Sequence, residues 1–410
     1  MKVAFHTLGC KLNYAETSTY ERGFLEGGWE VVDWSDAADV YVVNTCAVTE
    51  TAEKKSRNLI RRAHKTAPQA HIVVTGCYAE LRREQLLALE GVWRVYGAAD
   101  KGRLVPEILS TPLSAVASDT LPAYSCGERT RSFLKVQDGC DNFCAYCTVP
   151  FARGRSRSLS IAQVLSQARE IAAKDIKEIV LTGVNTGDFG RKNGESFLDL
   201  LKALNEVDGI ERYRISSIEP NLITEEIVDW IASGTKFQPH FHIPLQSGSD
   251  SLLKRVGRRY DTALFASRIE YIRKAMESEG SLKVFFGIDV IAGLPGESDE
   301  LFLETYNFLK ERIRPAYIHV FPYSRRPGTL AASWEDQVRD SVKTQRVAML
   351  EDLCRQLHEE FVETNRGLKA QVLWESSEKN GLMGGYTGNY IRVERPFDKL
   401  KINTLEEITI

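Results

Sequence analysis

The 410-residue sequence has no apolar run approaching the ~18 residues that cross a bilayer as a helix. That excludes a helical membrane span. It has no low-complexity tract and no repeat of fixed period, which excludes a solenoid array. An excess of one charge is also missing. The 53 basic and 56 acidic side chains leave a formal charge of −3, so wholesale coating of nucleic acid is not expected, although a local basic face is allowed. The opening "MKVAFHTLGC" carries no long apolar segment, so no secretory leader is expected and the cytoplasm is the expected compartment. In that compartment the eight cysteines are expected as metal ligands or buried thiols rather than disulfides. The most informative absence is local. "DGCDNFCAYC" places Cys140, Cys144 and Cys147 in one loop, yet residues 148–197 contain no cysteine or histidine to serve as a fourth ligand.

What is present is a long alternation of strand and helix patterns, in a chain too long for one core. "KVAFHTLG", "DVYVVNT" and "AHIVVTG" read as strands. "YAETSTYERGFLEGG" and "ETAEKKSRNLIRRAHKTAP" read as helices between them, which predicts a doubly wound parallel sheet. Residues 101–131, with Pro106, Pro112 and Pro122, read as a linker. A second series, "FLKVQDG", "EIVLTG", "RYRISS", "HFHIP", "KVFFGIDVIAG" and "YIHVFPY", predicts a β/α barrel or part of one, with function at the C-terminal strand ends. A long helix over about 335–366 precedes Gly367 and a short glycine-rich β module. The expected division is 1–113, 126–357 and 358–410.

Cys10, Cys46 and Cys77 each end one of the first three predicted strands. Parallel strands lie ~5 Å apart and bind ligands at their carboxyl ends, so these thiols can converge although distant in sequence. Three thiolates and an open position suit an iron–sulfur cluster; three separate buried thiols are the alternative. The loop set has the spacing C-x3-C-x2-C. Zinc is its alternative, but structural zinc wants a fourth nearby ligand. Cys126 and Cys354 are read as structural thiols.

The loop at the top of the first barrel strand resembles that of the radical SAM superfamily. "TLGCKLN", "VVNTCAV", "VTGCYAE" and "DGCDNFCAYCTVPFARGRSRS", with the later "HFHIPLQSGSDSLLKRVGRRY", "GIDVIAGLPGE" and "FPYSRRPGT", resemble the methylthiotransferases within it, most closely the MtaB type. The resemblance implies two [4Fe–4S] clusters, one on Cys140, Cys144 and Cys147 and an auxiliary one on Cys10, Cys46 and Cys77. It implies S-adenosylmethionine as methyl donor and radical source, in two successive uses. The implied reaction adds a methylthio group to carbon 2 of threonylcarbamoyladenosine beside the anticodon of tRNA. Isopentenyladenosine tRNA and a ribosomal-protein aspartate are alternative substrates within the family. A non-catalytic cluster- or zinc-bearing RNA-binding protein is the alternative of another class. The anticodon stem-loop, a flavodoxin- or ferredoxin-type reductant and a sulfur source are the implied partners of a monomer, and the terminal module resembles the small TRAM β barrel that contacts RNA.

The resemblance also marks residues for S-adenosylmethionine: Tyr146 in the cluster loop, Gly183 and Asn185 after the second barrel strand, Ser217 and Glu219 in "SSIEP", and Gln246 and Ser247 after the fourth. At Gly183 the sequence departs from the Gly-Gly-Glu usual in the family. Asp289 lies in an otherwise apolar strand, so it is read as functional or tied into a polar network. His240 and His242 are read as core residues. For RNA the candidates are Arg153, Arg155 and Arg157 after the cluster loop, Arg325, Arg392, and a basic group including Arg258; Tyr386 and Tyr390 are read as stacking or packing residues.

Overall fold

The structure is a computed structural model that describes residues 1–110, 120–126 and 130–410. The N-terminal sheet is built from β1 (Lys2–Thr7), β2 (Glu30–Val32), β3 (Val40–Thr45), β4 (His71–Gly76) and β5 (Val92–Tyr96). All pairs are parallel, in the order β2-β1-β3-β4-β5. β3 is central and buried along its whole length, which is why "VYVVNT" reads as one apolar run. Helices Lys11–Glu26 and Glu50–Thr66 follow β1 and β3. The latter starts at Thr49, whose side chain accepts from Ala52 N and caps it.

The expected linker is partly wrong. Residues Lys101–Arg103 form a turn of 3-10 helix and Leu104–Leu109 an α-helix, with Leu104 in the core against Tyr20 and Phe24. Pro106 misled the reading: in the first helical turn its missing N–H has no intrahelical partner to lose. Residues 123–125 add a short antiparallel segment to the barrel, with Ser125 N donating to Phe133 O and Lys135 N to Ala123 O. The expected boundary at 113 and Pro112 lie outside the described residues.

The barrel comprises β6 (Arg131–Lys135), a short antiparallel pair β7 (Gln137–Asp138) and β8 (Arg157–Ser158) that closes the base of the cysteine loop, then β9 (Glu178–Thr182), β10 (Arg212–Ile215), β11 (His240–Gln246), β12 (Phe285–Ala292) and β13 (Tyr317–Pro322). Two three-stranded parallel sheets, β10-β9-β6 and β11-β12-β13, meet where Ile218 N donates to His242 O. The result is an open six-stranded arc, with Leu, Ile, Val and Phe of the strands and surrounding helices forming the largest core. The helix Lys11–Glu26 covers part of its open side, packing Ala15 against Phe133 and Val180.

The helix Asp340–Thr364 runs unbroken across 357, the expected end of the central unit, and its Leu353, Cys354 and Leu357 belong to the barrel core. Beyond Gly367, β14 (Lys369–Lys379), β15 (Leu382–Thr387), β16 (Arg392–Pro396) and β17 (Leu405–Thr409) make an antiparallel sheet in the order β16-β15-β14-β17. This sheet docks on the N-terminal ends of the barrel strands. Arg212 donates to Tyr386 O and Gln371 O, and Arg214 to Gly388 O and Thr387 O. Tyr386 and Tyr390 stack on each other at 4.7 Å in this seam, and Tyr390 also lies against His240 and Phe285. They are packing residues, and the RNA-stacking alternative is set aside.

A candidate cavity at the cysteine loop

The N-terminal cysteines emerge side by side because their strands do. Cys10 caps the helix after β1, Cys46 follows β3, and Cys77 opens the short helix Cys77–Leu81 after β4. Polar residues tie the three turns together. Asn13 Nδ2 donates to Leu8 O (2.7 Å) and Thr45 O (3.1 Å), and Thr45 Oγ1 donates to Thr75 O (2.6 Å). Gly76 lies at φ +95°, and a Cβ there would come within 2.3 Å of Thr45 O, so only glycine allows this approach. Burial, then the neighbouring Cys77, pushes the Cys46 thiol up to about 11.

The loop cysteines are held locally. Asn142 N and Val149 N point at the sulfurs of Cys140 and Cys147 (3.3 and 3.4 Å), and Arg258 Nη1 at that of Cys144 (3.2 Å). Gly139, at φ +72°, would place a Cβ 2.2 Å from Arg155 O. Burial raises Cys140 to about 11 and Cys147 to about 12. Such thiols ionise only when a cation takes the proton's place, as metal binding does. Each set offers three thiols, one short of the closed four-ligand site of a structural zinc ion and matched to a [4Fe–4S] cluster with one open iron.

Beside the loop set lies a cavity of about 310 Å³. Cys140, Cys144 and Cys147 form one wall, Val48 and Thr49 just after Cys46 another, and Asp289 and Phe321 of the barrel a third. Of the residues marked for cofactor, Tyr146, Asn185, Ser217, Glu219 and Gln246 line it. Gln246 sits at φ +70° beside a register shift in β11, a strained conformation that re-aims the chain at the cavity. Gly183 lies behind the wall against Gln137, whose amide oxygen accepts from Val184 N and Asn185 N. Ser247 is fully buried and turned away, its hydroxyl 3.2 Å from that of Thr305. The Tyr323 hydroxyl borders the cavity, buried and with no hydrogen-bond partner among the described residues. An orphaned hydroxyl in a roomy wall fits a polar ligand.

Sequence reasoning marked Glu219 but missed the residues that hold it, Asn142 and Arg258. Glu219 takes Asn142 Nδ2 at 2.8 Å and Arg258 Nη2 at 2.7 Å. Arg258 is thus an interior clamp between Glu219 and Cys144, not part of a phosphate rim. Arg153 and Arg157 are also misplaced by the RNA reading. Arg153 is 4% exposed and bonds Asp138 Oδ1 (2.8 Å) and Asn13; Arg157 bonds Arg153 O (2.6 Å) and Asp138 Oδ2 (3.3 Å). They join Glu16, Lys101 and Lys135 in one buried network between the N-terminal unit and the barrel. Lys101 Nζ lies 2.6 Å from Glu16 and 2.7 Å from Asp138, and Lys135 Nζ 2.8 and 3.0 Å from the same carboxylates. Against the upward push of burial, Lys101, Lys135 and Arg153 hold both carboxyls far below their usual range.

Arg155, Arg325 and Arg392 are exposed, as an RNA contact requires, although Arg392 pairs with Glu394 at 2.7 Å. Arg155 lies 4.7 Å over the Phe143 ring beside the cluster loop, and Arg325 lines the open groove next to it. Arg326 is buried and paired with Glu53, joining the loop after β13 to the helix Glu50–Thr66. His240 is a buried packing residue as expected. His242 is not: its Nε2 bonds Asp289 Oδ1 at 2.6 Å, and His319, lowered to about 4 by burial and by His242, lies beside them.

A partial β/α barrel with a three-cysteine loop at its mouth, beside a second three-cysteine unit, defines a radical SAM enzyme with an auxiliary domain. Residues 134–309 match the radical SAM superfamily, and residues 2–97 match the uncharacterized protein family UPF0004. The chain is 41% identical over 409 residues to the threonylcarbamoyladenosine tRNA methylthiotransferase MtaB of Bacillus subtilis, covering 95% of this chain and 89% of that one. It is 38% identical to the protein of the same name from Aquifex aeolicus, covering 96% and 97%. Among solved structures, the radical S-adenosylmethionine methyltransferase TsrM of Kitasatospora setae shares the fold at a TM-score of 0.58 and 14% identity, over 81% of this chain and 77% of that one. This chain belongs to the radical SAM methylthiotransferase family, MtaB type. It is an enzyme that modifies tRNA, with S-adenosylmethionine and [4Fe–4S] clusters as its cofactors. No helix among the described residues is long and apolar enough to cross a membrane.

Proposed function

We propose that the enzyme adds a methylthio group to carbon 2 of threonylcarbamoyladenosine beside the anticodon of tRNA. One observation carries this reading: a single cavity has the loop cysteines on one side and the turn after Cys46 on another. Cys140, Cys144 and Cys147 hold one cluster, and Cys10, Cys46 and Cys77 the other. When bound, the clusters and S-adenosylmethionine supply one-electron and sulfur chemistry that no side chain has.

The chain's own residues do the rest. Asn185 and Glu219 present fixed polar groups to the cofactor: Glu219 N donates to Asn185 Oδ1 at 3.2 Å, and Asn185 Nδ2 to Asp188 at 3.3 Å. Tyr146 supplies an apolar wall, and Ser217 and Gln246 complete the polar lining. Gly183 acts through its turn against Gln137. The Glu16–Asp138 network fixes the spacing of the two units by joining the helix after Cys10 to the residue two before Cys140.

Arg155 and Arg325 flank the mouth as phosphate contacts, with Arg392 more distant on the terminal sheet. We read 1–113 as the auxiliary-cluster unit and place the seam between barrel and terminal unit at Gly367; that unit serves RNA as a TRAM-like module. The enzyme works as a cytoplasmic monomer with a flavodoxin- or ferredoxin-type donor and an external sulfur source.

The test is anaerobic reconstitution with iron and sulfide, then reductant, S-adenosylmethionine and tRNA carrying threonylcarbamoyladenosine. Mass spectrometry of digested nucleosides should show the 2-methylthio product. Deoxyadenosine release with no methylthiolated nucleoside would overturn the substrate.

A further inference from the structure

Lys11 directly follows Cys10 and lies over Phe133 of β6. Its ammonium makes no hydrogen bond or ion pair with any described residue, and the Phe133 ring centroid is 6.0 Å away. Its electrostatic neighbours include Arg131, Arg214 and Asp289. The two arginines are already matched: Glu178 lies 3.9 Å from Arg131 and 2.8 Å from Arg214, and Arg131 also reaches Glu375 at 2.8 Å. Lys11 forms no ion pair of its own, with Asp289 the carboxylate in its neighbourhood, so a partly buried ammonium is left able to take up an arriving anion.

His242, Asp289 and His319 bring their polar atoms within 4.8 Å of one another, and Asp289 and His319 both lie within electrostatic reach of Lys11. Asp289 belongs both to this group and to the cavity wall. His242 Nε2 holds one of its oxygens at 2.6 Å and so fixes the carboxylate. One strand step further on, Phe321 lines the cavity on the strand that carries His319.

We propose that Lys11, Asp289 and His319 form the subsite for the N6 arm of the substrate adenosine, with Lys11 taking its carboxylate. The inference rests on the substrate reading above. A threonylcarbamoyl arm ends in a carboxylate and also carries ureido N–H groups and a hydroxyl. The carboxylate matches the ammonium; the N–H and hydroxyl donors match Asp289 and the His319 imidazole. Carbon 2 and N6 lie on the same edge of adenine. A base whose carbon 2 faces the Cys10 set therefore directs its arm toward the residue beside Cys10. An isopentenyl arm has neither charge nor donors and would leave Lys11 unmatched.

The test compares two anticodon stem-loops with the reconstituted holoenzyme, one carrying threonylcarbamoyladenosine and one with its carboxylate converted to an amide. The wild-type KM should be about tenfold or more lower for the acid, as a charge-assisted hydrogen bond gives. Lys11→Met should raise the KM for the acid and leave the amide unchanged, and Lys11→Arg should keep most of the preference. Iron content and deoxyadenosine release, read for each variant, report on the adjacent cluster. Equal KM values for acid and amide in the wild type would overturn the subsite even if Lys11→Met fails to fold, as would undiminished discrimination by Lys11→Met. Methylthiolation of an isopentenyladenosine stem-loop but of neither probe would overturn the substrate reading and the subsite with it; methylthiolation of the acid without discrimination would overturn the subsite alone.

Discussion

The two cysteine sets are built by opposite constructions. The loop set is local: three thiols between Cys140 and Cys147, held by backbone N–H groups of the same loop and by one arginine, Arg258. The N-terminal set is topological: thiols at 10, 46 and 77 meet only because β1, β3 and β4 are adjacent and parallel. A local site depends on its loop and clamp. A topological site depends on the register of a whole sheet and on whatever holds that sheet against the barrel.

The largest predicted effect separates the sets by chemistry. Cys144→Ala should abolish deoxyadenosine formation from S-adenosylmethionine. Cys46→Ala should still form deoxyadenosine and lose the methylthio product; normal transfer by Cys46→Ala would break the division of roles.

The next effect separates them by stability. Asp138→Asn leaves buried Lys101, Lys135 and Arg153 short of a counter-charge and should cost about 3–5 kcal/mol, seen as a drop in Tm of several degrees. Glu16 and Asp138 are both depressed in the folded state. Their stabilisation is therefore complete above the ordinary carboxylate value of ~4 and is lost as pH falls below it. Thermal melts should hold from pH 7 to about 5 and fall below about 4, less steeply in Asp138→Asn.

Arg258→Gln should weaken S-adenosylmethionine binding about tenfold, because Glu219 and Cys144 lose a common charged donor; equilibrium binding checks it. The smallest effect is expected at the rim. Arg155→Ala and Arg325→Ala should each weaken tRNA binding a few-fold and lower the salt slope by about one, with deoxyadenosine formation in the absence of tRNA unchanged.

Much of this was legible in the chain. Strand runs such as "VYVVNT" and "EIVLTG" are apolar because both faces are covered, and the six cysteines of the two sets stand out by spacing or by strand end. Short edge strands were not: Glu30–Val32 has three residues, and Val92–Tyr96 interleaves tryptophan and arginine with valine. Arginine was the main source of error. A basic cluster in sequence cannot distinguish Arg155, which meets solvent, from Arg153 two residues earlier, which is sealed against Asp138 and Asn13. Burial of a charge is decided by partners such as Glu16 and Lys101, far away in sequence. Ser247 failed differently: after the turn at Gln246 its side chain points to Thr305, and nothing local in "PLQSGS" announces that turn.

The central claim is that the two clusters serve one substrate cavity, and electron paramagnetic resonance of the fully reduced holoenzyme tests it most directly. The wild-type spectrum should show magnetic interaction between two clusters, and so differ from the sum of the spectra of Cys144→Ala and Cys46→Ala, each retaining one. A wild-type spectrum equal to that sum would contradict the claim.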